Sequence, residues 1–362
     1  MPSHTIHIDE EKYKKHISGM HKNNTWSLCV GAGICRNILP DWFELTRRIV
    51  NKTFKYNWDH DTFKENSELM GFGLDAWIQG SLNHHVNIDK GTKTSFNKIL
   101  ETELYRDLLN EAAKNKLDIQ IKTFFEKPKS LNKKDMLRVY DFFEKRYANT
   151  TLIQLVKVLV EDPDNISLPQ SIITLNADSL LYSLLILFSI KQHNAGKTSF
   201  EIPEEKYRKI TKPYQTWGNK IPIFHLHGSI SPSINDKILD NRDNLIFLED
   251  SYNQIAGSMH SWAQSTFLYT AQNNIITFLG LSMSDSNLRR WLGWTATNHS
   301  LELNKNAKNP VITLRHLWIK TEQKDKELQK FSDVSLHHLG VKVALINSWN
   351  TVGKSLLHIL EY

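Results

Sequence analysis

Short apolar runs that stop at small or polar residues, each followed by apolar positions at helical spacing, dominate this chain. Trp26-Ser-Leu-Cys-Val30 stops at Gly31, passes a glycine turn, and leads into Trp42, Leu45 and Ile49, spaced along one helix face. Ser171-Ile-Ile-Thr-Leu175 follows the same plan, ending at Asn176 and entering an apolar helix from Leu180 to Ile190 by way of Asp178. Ile221-Pro-Ile-Phe-His-Leu226 ends in His227-Gly228. Asn274-Ile-Ile-Thr-Phe-Leu279 ends at Gly280, with Asp285 placed to cap a helix from Leu288. Val311-Ile-Thr-Leu314 and Val341 to Ile346 read as two further strands, the last followed by a short helix near Leu356 to Leu360.

Strands alternating with helices predict an α/β fold: a Rossmann-like, mostly parallel sheet with helices on both faces. The first and second strands are separated by about 140 residues, too many for a plain loop. Their apolar positions, among them Leu104, Leu108, Leu109, Met136, Leu137, Tyr140 and Phe143, are helical in spacing. The expectation is one sheet domain over 26–362, preceded by an N-terminal segment 1–25 and interrupted by a helical insertion at about 52–165.

Composition narrows this picture. The 362 residues are 40% hydrophobic and 23% charged, which excludes a disordered chain or a coiled coil as a description of the whole. The Leu180 to Ile190 run is well short of the about 20 residues that cross a bilayer, so it reads as a buried helix. No basic region followed by an apolar one opens the chain, and a cytoplasmic location is the expectation. The excess of 45 Lys and Arg over 39 Asp and Glu is spread along the sequence. Its densest run, Lys127 to Lys134, is interrupted by Pro128 and Ser130, so a solvated face is favoured over direct nucleic-acid binding. The two cysteines, Cys29 and Cys35, cannot supply a four-thiolate zinc site.

In open α/β sheets ligands bind beyond the carboxyl ends of the strands, so candidate chemistry is sought there. Gly31-Ala32-Gly33 lets backbone approach a ligand, and the N–H groups of the following helix could cradle a phosphate; a tight turn is the alternative. Arg36 stands where the dinucleotide fingerprint has its last glycine, and no P-loop run occurs, which argues against a standard dehydrogenase or P-loop NTPase. Asn176 and Asp178, two residues apart, would point the same way in an extended segment, although Asp178 could also cap the next helix. His225 and His227 share a face and could form a metal pair only with a third ligand; otherwise His227, at the strand end, is an acid/base or hydroxyl-binding group. Gly280 and Ser282 suit a ribose or phosphate, or simply start a helix.

Taken in order, these blocks resemble the sirtuin pattern. Gly31-Ala-Gly-Ile-Cys35 is similar to the family's Gly-Ala-Gly-Ile-Ser, Leu39-Pro-Asp-Trp42 to Ile-Pro-Asp-Phe, Thr174-Leu-Asn-Ala-Asp178 to Thr-Gln-Asn-Ile-Asp, and His227-Gly228 to the catalytic histidine-glycine pair. Leu245 to Tyr252 and Phe278 to Asp285 look more like the bacterial sirtuin-like proteins of antiphage defence. The resemblance implies an NAD⁺ site with Gly31, Ala32 and Gly33 at the pyrophosphate and Asp41 on the loop covering nicotinamide. It puts Asn176 and Asp178 near the nicotinamide ribose, His227 at that ribose's hydroxyls, and Gly280 and Ser282 toward the adenosine half.

The departures select among sirtuin activities. Deacylating members carry a four-cysteine zinc module, which two cysteines cannot build, so no zinc is expected and water becomes the acceptor. The expected activity is NAD⁺ hydrolysis to nicotinamide and ADP-ribose, with Asn176, His227 and Asp178 catalytic and NAD⁺ as substrate. A constantly active NADase would drain its own cell. Gating is therefore expected, through a homo-oligomer and a separate partner, for which the resemblance suggests a HerA-type ATPase. The competing readings are a module that senses NAD⁺ or ADP-ribose without cleaving it, a protein deacylase or ADP-ribosyltransferase, and a metal-dependent hydrolase using His225 and His227.

Overall fold

The computed structural model describes residues 25–161, 168–234, 245–257, 261–303 and 314–361, together with Lys15 and Gly19. Seven strands form one all-parallel sheet: β1 (Trp26–Val30), β2 (Ser171–Thr174), β3 (Tyr207–Ile210), β4 (Ile221–His225), β5 (Ile275–Leu279), β6 (His316–Thr321) and β7 (Val341–Ile346). Their order across the sheet is β3-β4-β2-β1-β5-β6-β7. The winding reverses between β1 and β5, which pair in register from Trp26 with Ile275 to Val30 with Leu279. That reversal opens a crevice above the carboxyl ends of the central strands.

The expected α/β, Rossmann-like architecture is the observed one. Two details differ. Tyr207–Ile210 forms an edge strand that the apolar pattern did not mark, because Arg208 and Lys209 break its apolar run and only the buried Tyr207 and Ile210 anchor it. The strand expected at Val311 to Leu314 lies, except for Leu314, outside the described residues, as does nearly all of the segment 1–25; the sixth described strand is β6, beginning at His316.

Alternate residues of the strands feed two apolar cores, as a parallel sheet covered on both faces requires. Trp26, Leu28 and Val30 of β1 join Ile172, Ile223, Ile275 and Leu279 on one face, whereas Cys29, Ile173, Phe224, Ile276 and Phe278 turn to the other. The larger core is covered by helices between β1 and β2. These are α1 (Trp42–Phe54), α2 (His60–Met70), α3 (Leu74–Asn87), α4 (Lys93–Lys114), α5 (Asp118–Glu126), α6 (Lys133–Tyr147) and α7 (Thr151–Glu161). Residues of α4 to α7 share one continuous core with the strands.

The apolar run after β2 is α8 (Leu180–His193), which buries Leu180, Leu181, Leu184 to Phe188 and Ile190 with no polar side of its own. A helix that is apolar all round is either buried or in a membrane, and this one packs against α6, α7 and β3. Among the described residues no helix is long and apolar enough to cross a membrane. The later helices are α9 (Glu249–Gly257), α10 (Trp262–Asn273), α11 (Ser286–Leu303), α12 (Lys326–Val334) and α13 (Val352–Glu361). Phe267, Trp291 and Leu292 of α10 and α11 fill the smaller core.

Candidate functional site

The turn after β1 is short because it crosses the turn after β5. Gly31 N–H donates to the Leu279 carbonyl at 3.0 Å, and Gly33 N–H to the Gly280 carbonyl at 2.9 Å. A Cβ on Gly33 would stand 2.7 Å from the Gly280 oxygen, and one on Gly280, whose φ is +68°, would stand 2.6 Å from the Ile34 nitrogen. No side chain fits at either position. Thus Gly33 and Gly280 pack against each other beside the cavity, whose lining includes Gly31 and Ala32. The helix expected after the glycine turn does not begin at once. A one-turn 3₁₀ segment, Ala32–Cys35, follows Gly31, and α1 begins only at Trp42, where the Asp41 carboxylate already accepts the Glu44 N–H at 2.9 Å.

A cavity of about 610 Å³ opens at this crossing, within the size range of small-molecule sites. Its wall brings together Gly31, Ala32, Asp41, Asn176, Asp178, His227 and Ser282, which are far apart in the chain. Sequence reasoning gave no site role to Asp75, Glu249, Tyr252, Asn253 and Arg290, which also line it. Only assembly of α3, α9 and α11 around the crevice reveals them. Trp42 stacks on Phe247 with ring centroids 5.1 Å apart, joining the start of α1 to the segment before α9 at the cavity edge.

Asn176 and Asp178 do face the same space. The backbone N–H of Asn176 is fixed by Thr174 Oγ1 at 3.0 Å, and its side-chain Nδ2 leans on Cys35 Sγ at 3.9 Å. Asp178 does both jobs that its position allowed: Oδ1 accepts the Leu180 N–H at 3.0 Å at the start of α8, while the residue lines the cavity. The Cys35 thiol donates toward both carboxylate oxygens at 3.6 Å. Burial raises Asp178 to about 6, partly offset by the hydrogen bonds it receives. Burial, reinforced by the Asp178 charge, also pushes the Cys35 thiol well above its ordinary range, so it remains a neutral donor.

His227 follows β4, the strand paired with β2, and stands beside the Leu175–Asn176 stretch, 6% exposed, with the Tyr252 ring edge-on at 5.4 Å. Burial lowers its pKa; the Asp285 carboxylate opposes that effect without reversing it, so the imidazole is neutral near pH 7. His225 lies deeper. It is 1% exposed, neither ring nitrogen has a hydrogen-bond partner among the described residues, and burial followed by repulsion from Lys209 pulls it down to about 3. Among the described residues no group of three or more His, Cys, Asp or Glu is arranged to hold a metal ion.

The wall carries both signs of charge: Asp41, Asp75, Asp178, Glu249 and Asp285 line the cavity, and so does Arg290. Such a lining suits a ligand that carries both a cationic and an anionic part.

Residues 170–338, a little under half of the chain, match the family model described as the SIR2-like domain. The matched stretch contains Asn176, Asp178, His227, Gly280 and Ser282. The glycine turn after β1 lies outside it and joins the site through the pairing of β1 with β2 and β5. No curated protein matches the chain.

Proposed function

We propose that this protein is an NAD⁺ hydrolase that cleaves the bond between nicotinamide and ribose, releasing nicotinamide and ADP-ribose. The observation that carries the reading is the convergence of Gly31, Asn176, Asp178 and His227 on one cavity at the sheet's switch point. The similarity of residues 170–338 to the SIR2-like domain supports it.

In the proposed reaction the bond from ribose C1′ to the ring nitrogen breaks and its electron pair stays on nitrogen, turning the cationic nicotinamide ring into a neutral leaving group. Positive charge develops on the ribose, and a water oxygen then bonds to C1′ and gives up a proton. The protein's task is to hold the ribose, stabilise that charge and aim one water. Asn176 is assigned to the water, since its Oδ1 takes no hydrogen bond from the described residues. Neutral His227 binds the ribose hydroxyls or accepts the proton as water adds. Asp178, ionised near pH 7, and its carboxylate neighbours stabilise the developing cation. Ala32, Arg290 and Ser282 are left for the phosphates and adenosine. No zinc enters this scheme.

Gating follows from the hazard of the reaction. We place the protein as an effector of antiphage defence by NAD⁺ depletion, acting as a homo-oligomer with a separate partner such as a HerA-type ATPase in the cytoplasm. The deciding experiment follows nicotinamide release from NAD⁺ by the purified chain, alone and with the product of its neighbouring gene. Release by the wild type should fall at least about 100-fold in Asn176→Ala and His227→Ala. Equal behaviour of all three proteins under every condition would leave the non-catalytic reading, a module that binds NAD⁺ or ADP-ribose without cleaving it.

A further inference from the structure

Tyr105 sits on α4, and its ring is fully buried against Phe125, with centroids 5.3 Å apart. Its hydroxyl donates to the Ile230 carbonyl at 2.7 Å and accepts the Ser179 N–H at 3.1 Å. These backbone groups belong to the continuations of β4 and β2, the two stretches that carry His227 and Asp178. They are also joined directly: Ile230 N–H donates to the Ala177 carbonyl at 2.6 Å, Asp178 and Ile230 form an isolated parallel bridge, and the Ser179 and Ser231 hydroxyls lie 2.7 Å apart. One turn earlier on the same face of α4, Glu101 Oε1 accepts the Ser233 N–H at 3.1 Å. The helix therefore grips the segment 230–233 at two points and reaches through it to Ser179.

We propose that Tyr105 is a positioning residue, whose hydroxyl lets α4 set the conformation of the Asn176–Ser179 segment and hence the aim of Asn176 and Asp178 into the cavity. Its catalytic consequence rests on the functional reading above. A phenol suits this place because one oxygen serves a donor and an acceptor that would both be orphaned in a dry interior. Burial and the nearby Asp178 charge hold Tyr105 well above the usual tyrosine range, so the proton that Ile230 receives is always present. The helices between β1 and β2 thereby gain a lever on the site: any movement of α4 along its axis pulls on the residues that would aim the water.

The test compares Tyr105→Phe with Tyr207→Phe, which also removes a buried tyrosine hydroxyl bonded to a carbonyl, that of Leu159 at 2.9 Å, but at the sheet edge. Hydrogen exchange at the Ser179 amide should accelerate by about tenfold or more in Tyr105→Phe and stay at the wild-type rate in Tyr207→Phe. With NAD⁺ as substrate, kcat should fall about 10- to 100-fold in Tyr105→Phe while KM stays within about threefold. Unchanged Ser179 exchange, or a kcat equal to that of Tyr207→Phe, overturns the proposal. If the wild type releases no nicotinamide, the functional reading fails while the exchange result still decides the clamp. Should Tyr105→Phe not fold, Glu101→Ala removes the neighbouring acceptor of the Ser233 N–H, and unchanged exchange across 176–180 in that variant overturns it as well.

Discussion

Single residues at the crossing of the β1 and β5 turns carry contacts that their types did not announce. Gly31, Gly33 and Gly280 looked alike as ligand-approach glycines, yet Gly31 lines the cavity while the other two press against each other. The difference cannot be read from spacing, because it depends on which backbone lies across the turn. Gly280→Ala should therefore destabilise the protein by about 2 kcal/mol or more, combining a strained φ with a Cβ forced onto backbone. Chemical denaturation would check this, and a loss below about 0.5 kcal/mol would show that the turns separate easily. Asn176, Asp178 and His227 were legible because a strand end in a parallel sheet has one place to point. Tyr105 was not, since a tyrosine at a helical position reads as core until its hydroxyl partners are known.

At the scale of elements, apolar periodicity located β1, β2, β4, β5 and β7 and identified α8 as a buried helix. It missed β3, whose central residues are basic and whose stability comes from pairing with β4 on one side only. At the start of α1 the Asp41 side chain caps the helix by accepting the Glu44 N–H. Asp41→Ala should lower stability by about 1 kcal/mol, read as a shift in the denaturation midpoint. The cap is exposed and the helix is held mainly by Leu45, Ile49 and Val50 in the core, so the fold should survive.

For the whole molecule, the buried titratable groups give stability opposing pH dependences. His225 is held near 3 in the folded chain against an ordinary 6.5, so the unfolded chain binds its proton first. Its contribution to stability is complete above about pH 6.5 and drains away as the pH falls toward 3. Asp178, raised from 3.8 to about 6, acts in the other direction: the fold keeps that proton, and its contribution is lost as the pH rises from 3.8 through 6. Replacing His225 with Leu should flatten the acid side of the stability curve by about 1.4 kcal/mol per pH unit between pH 6 and 4. Denaturation at a series of pH values would measure it, and parallel curves for the two proteins would mean that the ring is hydrated after all. The sequence by itself determined the parallel α/β sheet, the strand ends that carry Asn176, Asp178 and His227, and the lack of cysteines for a zinc module, because these depend on local periodicity and residue counts. Only the tertiary structure decided that Gly33 and Gly280 pack against each other, that Asp75, Tyr252 and Arg290 share the cavity, and that α4 reaches the Asn176–Ser179 segment. Those facts depend on contacts between residues 74 or more positions apart, whose pairing is set by how the two cores pack around the sheet.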